Sequence, residues 1–279
     1  MRAEKLSWPV MAAGLKLRAA GIPDDLREDR IDFGPEAAQH ALVISPASGR
    51  PERPLLCFVH GGSWQRGDPE TYRGVGRFFA RHGYTALVVG YRLVPGAVFP
   101  AQREDVLSGL AAGLEYVASA SGEHPATLLM GQSAGAHLAA LAALDVESRA
   151  AAGLVDAAIA GLVAVSGPLD FDVMCPERSQ CPLVEALMGG RDGWEAADPA
   201  RFAHAGPPVP ILCLHGSLDP LVSSEVAASF VMRANGAEGD HATFIADPTA
   251  HHADMTRLFF GTSPLTPVML EWMEQVTGS

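Results

Sequence analysis

The chain predicts an α/β fold, a mostly parallel central sheet with helices on both faces, and three observations lead there. Short apolar runs bounded by turn residues alternate with longer helix-like stretches almost from end to end, as strands joined by right-handed crossovers do. Several of those runs, such as Leu55-Leu56-Cys57-Phe58-Val59 and Ile211-Leu212-Cys213-Leu214, are apolar without interruption, the pattern of a strand buried on both faces. With 279 residues the chain can also bury a full core as one domain, and no second domain is expected.

Taken in order, an amphipathic segment over residues 10–20 precedes a first strand near 39–45 and a second at 55–59. A helix over 71–82 leads to a strand over 84–90, and a longer helix over 102–120 ends at the glycine and proline of 122–125. A strand at 126–130 runs into an alanine-rich helical stretch at 137–144. Further strands follow at 159–165 and from 211, the latter with a helix over 223–235, then a strand at 241–245 and a terminal helix near 265–276. Residues 167–210, rich in Pro, Gly, Met and charge, read as a small cap insertion over the pocket. Short helices are expected there at 183–188 and around Trp194, with Met174, Met188 and Trp194 as walls.

The most informative motif is Gly131-Gln132-Ser133-Ala134-Gly135, set between strand and helix. That spacing describes a nucleophile elbow, in which a sharp turn exposes the serine at the top of the sheet and small residues on either side let strand and helix approach. Ser133 is the candidate nucleophile; a helix-capping serine after a glycine turn is the competing interpretation. Two distant motifs weigh against the latter.

The first is His60-Gly61-Gly62-Ser63-Trp64, directly after the strand at 55–59. Acyl transfer places negative charge on the carbonyl oxygen, and preorganised amide donors there are worth roughly 2.7–4 kcal/mol each. The amides of Gly62, Ser63 and Ala134 are the expected oxyanion hole. His60 is expected to order this loop rather than to act as a base. The second motif is His215-Gly216-Ser217-Leu218-Asp219, at the end of another buried strand. Asp219 there can fix an imidazole tautomer and stabilise the imidazolium. Asp170 and Asp172 compete for that role, but follow a different strand.

The base should come last in the chain, since hydrolases of this kind run serine, acid, histidine. His251 and His252 both qualify. His40, His82, His124, His204 and His241 read as surface or loop residues. Trp64, Trp194 and His137, one helical turn beyond Ser133, are candidate substrate-binding residues, with packing beneath the loop the alternative for His137.

A net charge of −12 excludes phosphate-backbone binding, which needs clustered basic groups. No apolar run is long enough to cross a membrane, and no signal peptide is evident, so a cytoplasmic enzyme is expected. The four cysteines show no metal-binding spacing. Cys57 and Cys213 are expected to be buried, and Cys175 and Cys181 to be reduced, although their spacing allows a bridge.

His60 to Asp68, together with Gly90-Tyr91-Arg92-Leu93-Val94-Pro95 and Gly131 to Leu138, resembles the kynurenine formamidase (arylformamidase) branch of the α/β-hydrolases. His252-Ala253-Asp254 is similar to that branch's C-terminal His-x-Asp, which favours His252 over His251. The same HGGSW run resembles carboxylesterases of the hormone-sensitive-lipase type. The resemblance, from Leu55 onward, implies an α/β-hydrolase fold and a serine hydrolase cleaving a small ester or amide through an acyl-enzyme. It implies a triad of Ser133, Asp219 and His252, and no cofactor. Ser63 stands where that branch often has alanine or an aromatic residue, and the 175–181 loop has no counterpart there, which leaves the substrate open. A non-turnover ligand receptor and a tailoring esterase or peptidase are the other readings, and a homodimer is left open.

Overall fold

The structure, a computed structural model, describes residues 12–15, 25–47, 53–155, 157–204, 208–237 and 239–278. Of the amphipathic segment expected at 10–20, residues 12–15 are described and helical, and the rest lies outside the described residues.

Eight strands form one sheet: β1 (Leu26–Asp32), β2 (His40–Pro46), β3 (Leu55–Val59), β4 (Thr85–Val89), β5 (Thr127–Gln132), β6 (Ile159–Val165), β7 (Ile211–Gly216) and β8 (Ala242–Asp247). Their spatial order is β1-β2-β4-β3-β5-β6-β7-β8. The β1–β2 and β2–β4 pairs are antiparallel, and the remaining pairs are parallel. The helices are α1 (Arg73–Arg81), α2 (Ala101–Ser121), α3 (Ala134–Leu144), α4 (Val146–Ala151), α5 (Phe171–Met174), α6 (Pro182–Met188), α7 (Ser224–Asn235) and α8 (Thr266–Thr277). This is the mostly parallel α/β architecture the alternation predicts.

Strand pleating divides the core in two. Along β3, Leu55, Cys57 and Val59 enter the layer shared with α2, α3 and α7, whereas Leu56 and Phe58 enter the layer under α1, the 254–260 turn and α8. Both faces are therefore dry, which is why the strand reads as a continuous apolar run. Each fully buried Leu, Val or Phe contributes roughly 1.5–3 kcal/mol to this packing.

Between β6 and β7 lie α5, α6 and short 3-10 turns at Arg178–Gln180, Trp194–Ala197 and Pro199–Arg201. The amide of Phe99, in the loop after β4, donates to the Leu187 carbonyl of α6 at 2.9 Å. Cys175 and Cys181 are joined in a disulfide with their Cα atoms 5.9 Å apart, which corrects the reduced pair expected from the sequence. Both sulfurs come from the nearly buried ends of α5 and the 178–180 turn, so the loop between them is short enough to bring them together. Cys57 and Cys213 are free and buried, as expected.

Two further expectations need correction. His40 is not a surface residue: it is buried on β2, with Nε2 at 3.0 Å from Glu70 Oε1 and Nδ1 at 2.8 Å from the Ala37 carbonyl. An additional strand, β1, precedes the first one predicted. Its sequence, Leu-Arg-Glu-Asp-Arg-Ile-Asp, is charged because it lies at the sheet edge, with one neighbour only and its side chains half-solvated.

Candidate active site

Ser133 sits in the turn between β5 and α3 with φ 56° and ψ −123°, the strained backbone expected of an elbow. The flanking glycines explain how the turn closes. A Cβ on Gly131 would overlap the backbone of Gly135, and one on Gly135 would overlap the carbonyl of Val59. All eleven residues of α3 are buried between the sheet and neighbouring elements such as α2, hence its alanines.

His252 and Asp219, distant in sequence, meet Ser133 at the same edge of the sheet. Ser133 Oγ lies 2.9 Å from His252 Nε2, and His252 Nδ1 lies 2.6 Å from Asp219 Oδ2. The carboxylate fixes the tautomer: Nδ1–H donates to Asp219, leaving Nε2 to accept the serine hydroxyl. Asp219 is further tied by the amides of Leu221 (2.8 Å) and Val222 (3.0 Å), both donating to Oδ1. Burial pushes its carboxyl upward, but the hydrogen bonds from His215, His252 and the Val222 amide, with the His252 charge, outweigh that and hold it well below the usual carboxylate range.

His215 precedes the acid in the chain, so the serine, acid, histidine order gives it no part as the base. The structure buries it fully, with Nε2 at 2.9 Å from the Val222 carbonyl and 3.3 Å from Asp219 Oδ2. It is thus a second imidazole on the same acid, and the His-Gly-x-x-Asp spacing was the available signal. Gln132, also unassigned from sequence, places Nε2 at 3.5 Å from His252 Nε2.

His251, the rejected neighbour, is exposed and faces Asp254 at 3.3 Å. The competing acids also lie apart from the histidine. Asp170 receives Arg233 Nε at 2.8 Å and the Ser229 hydroxyl at 2.7 Å, and Asp172 receives Arg201 at 2.7 Å. With Asp198 they form an ion-paired cluster in the segment between β6 and β7.

The His60–Trp64 loop packs against the elbow, since a Cβ on Gly61 would run into Gln132. Gly62, Ser63 and Trp64 all have positive φ, at 127°, 55° and 58°. Among the described residues, the amides of Gly62, Ser63 and Ala134 donate no hydrogen bond within the protein. His60 orders the loop as expected. It stacks on Tyr91 at 4.3 Å and on Tyr72 at 5.6 Å, and the Tyr91 hydroxyl donates to its carbonyl at 3.0 Å.

Trp64, a candidate substrate-binding residue, and His137, for which packing beneath the loop is the alternative, are buried and bonded to each other through indole Nε1 and His137 Nδ1 at 3.3 Å. Trp194 is buried against Phe171, with ring centroids 6.4 Å apart, and lines a recess with Cys175, Asp198 and Arg201. Ser133 and His252 are not part of that recess.

Burial holds the His60 and His137 imidazoles down at about 4, against 6.5 in the unfolded chain. The folded protein refuses protons that the unfolded chain accepts, so this stability is complete above about pH 6.5 and is lost as pH falls toward 4. The loss is roughly 3 kcal/mol per histidine. Asp198, raised by burial to about 6, works in the opposite direction over the same range and offsets part of it. Urea unfolding at pH 7 and pH 4.5 is expected to show a lower midpoint in acid, with the His60 and His137 ring proton resonances unshifted down to pH 5. Resonances that titrate near pH 6.5 would contradict this assignment.

A comparison with known families places residues 43–233, most of the chain, within BD-FAE. The chain belongs to the BD-FAE family. Relatives of this BD-FAE chain include esterase LipQ and esterase LipC of Mycobacterium tuberculosis, each 28% identical over 80% of the chain. The chain spans 56% and 59% of those proteins, a little over half their length. Kynurenine formamidase of Danio rerio is 27% identical over 44% of the chain and 40% of its own length. Among solved structures, esterase B from Lactobacillus rhamnosis superposes with a TM-score of 0.77 at 20% identity, covering 97% of this chain and 93% of that one. That likeness establishes the α/β-hydrolase fold. Among the described residues, no helix is long and apolar enough to cross a membrane.

Proposed function

We propose that this BD-FAE chain is a serine esterase acting on small-molecule esters through an acyl-enzyme. The reading rests on one observation, the hydrogen-bonded line from Ser133 through His252 to Asp219 at the C-terminal edge of the sheet. His252 Nε2 takes the Ser133 proton as Oγ bonds to the acyl carbon, and the carbonyl electron pair moves onto oxygen. The amides of Gly62, Ser63 and Ala134 receive that oxyanion. The imidazolium, steadied by Asp219, protonates the leaving group; water then repeats the sequence and frees the acid. LipQ and LipC, named as esterases and matched over most of the chain, support an ester rather than an amide substrate.

A second reading, arylformamide hydrolysis, is favoured by the His60–Asp68 resemblance and by the shorter match to kynurenine formamidase. The chemistry is shared, so only turnover separates the two. On a panel of p-nitrophenyl esters of increasing acyl length, set beside N-formylkynurenine, the expected result is fastest turnover on a short acyl ester. A clear preference for the formyl amide would replace the first reading with the second. Turnover of neither, with covalent labelling by a fluorophosphonate intact, would make the protein a ligand receptor. The bridged Cys175–Cys181 pair favours an oxidising compartment over the cytoplasmic setting expected from sequence, because cytosolic thiols are kept reduced. Light scattering distinguishes monomer from homodimer.

A further inference from the structure

The loop that carries the proposed oxyanion donors has three successive residues at positive φ, two of them not glycine. Such backbone is unfavourable at a non-glycine position and persists only where surrounding contacts over-determine it. Here the Gly62 carbonyl accepts the Gln65 and Arg66 amides at 3.1 Å each, and the Trp64 carbonyl accepts the Val94 amide at 2.9 Å. One further restraint reaches outside the loop through a side chain. Trp64 Nε1–H donates to His137 Nδ1 at 3.3 Å, the two rings lying edge to face at 5.1 Å.

His137 sits on α3 one turn past Ser133 and is fully buried. Its other nitrogen faces the cap: Nε2–H donates to the Ala197 carbonyl at 2.6 Å. The ring face stacks on Phe171 of α5, 5.3 Å away and tilted by 8°. A neutral imidazole offers one acceptor and one donor on opposite edges, and both are used here. Burial keeps this ring neutral at working pH, so the acceptor for Trp64 is retained.

We infer that His137 is a positioning residue that fastens the oxyanion-hole loop to the cap, so that the seating of the Trp194–Ala197 turn sets the aim of the Gly62 and Ser63 amides. The inference rests on the esterase reading above. The ring touches no substrate; it acts through Trp64. A loop displaced by about 1 Å weakens transition-state stabilisation while leaving substrate binding largely unaltered, and so lowers kcat rather than raising KM.

Two substitutions at this position separate the two bonds. His137→Gln keeps a donor for Ala197 and loses the acceptor for Trp64, whereas His137→Asn keeps an acceptor near the Nδ1 position and drops the tie to the cap. Trp64→Phe removes the indole N–H from the other side and serves if His137→Gln does not fold. With a short p-nitrophenyl ester, His137→Gln and Trp64→Phe are each expected to lower kcat on the order of tenfold to a hundredfold, with KM within about twofold. Affinity for a trifluoromethyl ketone, which forms the tetrahedral oxyanion, should fall in step with kcat. His137→Asn should recover part of the loss, and the double variant should be no slower than the worse single one. Unchanged kcat, a rise in KM alone, or losses that multiply in the double variant would each overturn the inference. A wild-type chain that neither turns over esters nor reacts with a fluorophosphonate would overturn the esterase reading and this inference with it. An active, labelled wild type beside an unimpaired His137→Gln would overturn the inference alone.

Discussion

Ser133→Ala is expected to lower kcat on short acyl esters by ~10⁴–10⁶-fold while the protein still folds. The loss is large because the serine, imidazole and carboxylate act as a unit, so removing the nucleophile removes the whole covalent route. What remains is uncatalysed attack by water, aided by the amides of Gly62, Ser63 and Ala134. Stability should change by about 1 kcal/mol at most, since the side chain gives up one hydrogen bond, to His252 Nε2 at 2.9 Å, and the Gly131–Gly135 packing that shapes the elbow is untouched. His252→Ala should lose activity to a similar degree. His251→Ala should not, because that ring is exposed and faces Asp254 rather than Ser133. Kinetics on p-nitrophenyl acetate with a thermal melt of each variant checks the set. A Ser133→Ala variant within tenfold of wild type, or a His251→Ala variant as impaired as His252→Ala, would contradict it.

Asp219→Asn is expected to cost on the order of 10⁴-fold in kcat, out of proportion to a change of one atom. The reason lies in how the carboxylate is used. Its Oδ1 accepts two backbone amides, Leu221 and Val222, and its Oδ2 faces two imidazole nitrogens, His252 Nδ1 at 2.6 Å and His215 Nε2 at 3.3 Å. An amide has a single oxygen. Turned toward the histidines, it sets its NH₂ against two backbone N–H groups; turned toward the backbone, it sets that NH₂ against the imidazoles and forces His252 to carry its proton on Nε2. In the second arrangement His252 cannot take a proton from Ser133. In the first, the amides of Leu221 and Val222 lose their acceptor, the latter being part-buried. The variant should therefore be slow, and its unfolding midpoint in urea should be lower as well. Because the wild-type carboxyl is held well below the usual carboxylate range, protonation of Asp219 is not expected to set the acid limit of activity. A variant retaining more than a tenth of wild-type kcat would contradict this account of the acid.

Most of the sheet could be read from residue order because β3, β5, β6 and β7 are buried on both faces and so carry uninterrupted apolar runs. The elements that escaped that reading lack the burial that writes the signal. Strand β1 is charged along its length at the edge of the sheet, and α4 buries none of its residues. Ser133 and Asp219 could be picked out for a different reason, since glycine spacing marks the elbow and strand ends mark where polar groups converge, whereas His252 is told from His251 only by the resemblance of His252-Ala253-Asp254 to a family's His-x-Asp. What the sequence could not convey was contact between segments remote in the chain. The Trp64–His137–Ala197 bridge depends on how distant segments lie against one another, and no local pattern encodes that, whereas the His215–Asp219 and Cys175–Cys181 contacts are local and their spacing allowed but did not decide them.

The central claim, that Ser133 is the atom on which the acyl group rests, is met most directly by peptide mapping of the protein after reaction with a fluorophosphonate. The account predicts a single phosphonyl adduct, on the peptide carrying Gly131 to Gly135, that disappears in Ser133→Ala. An adduct on another serine, or equal labelling of wild type and Ser133→Ala, would contradict it.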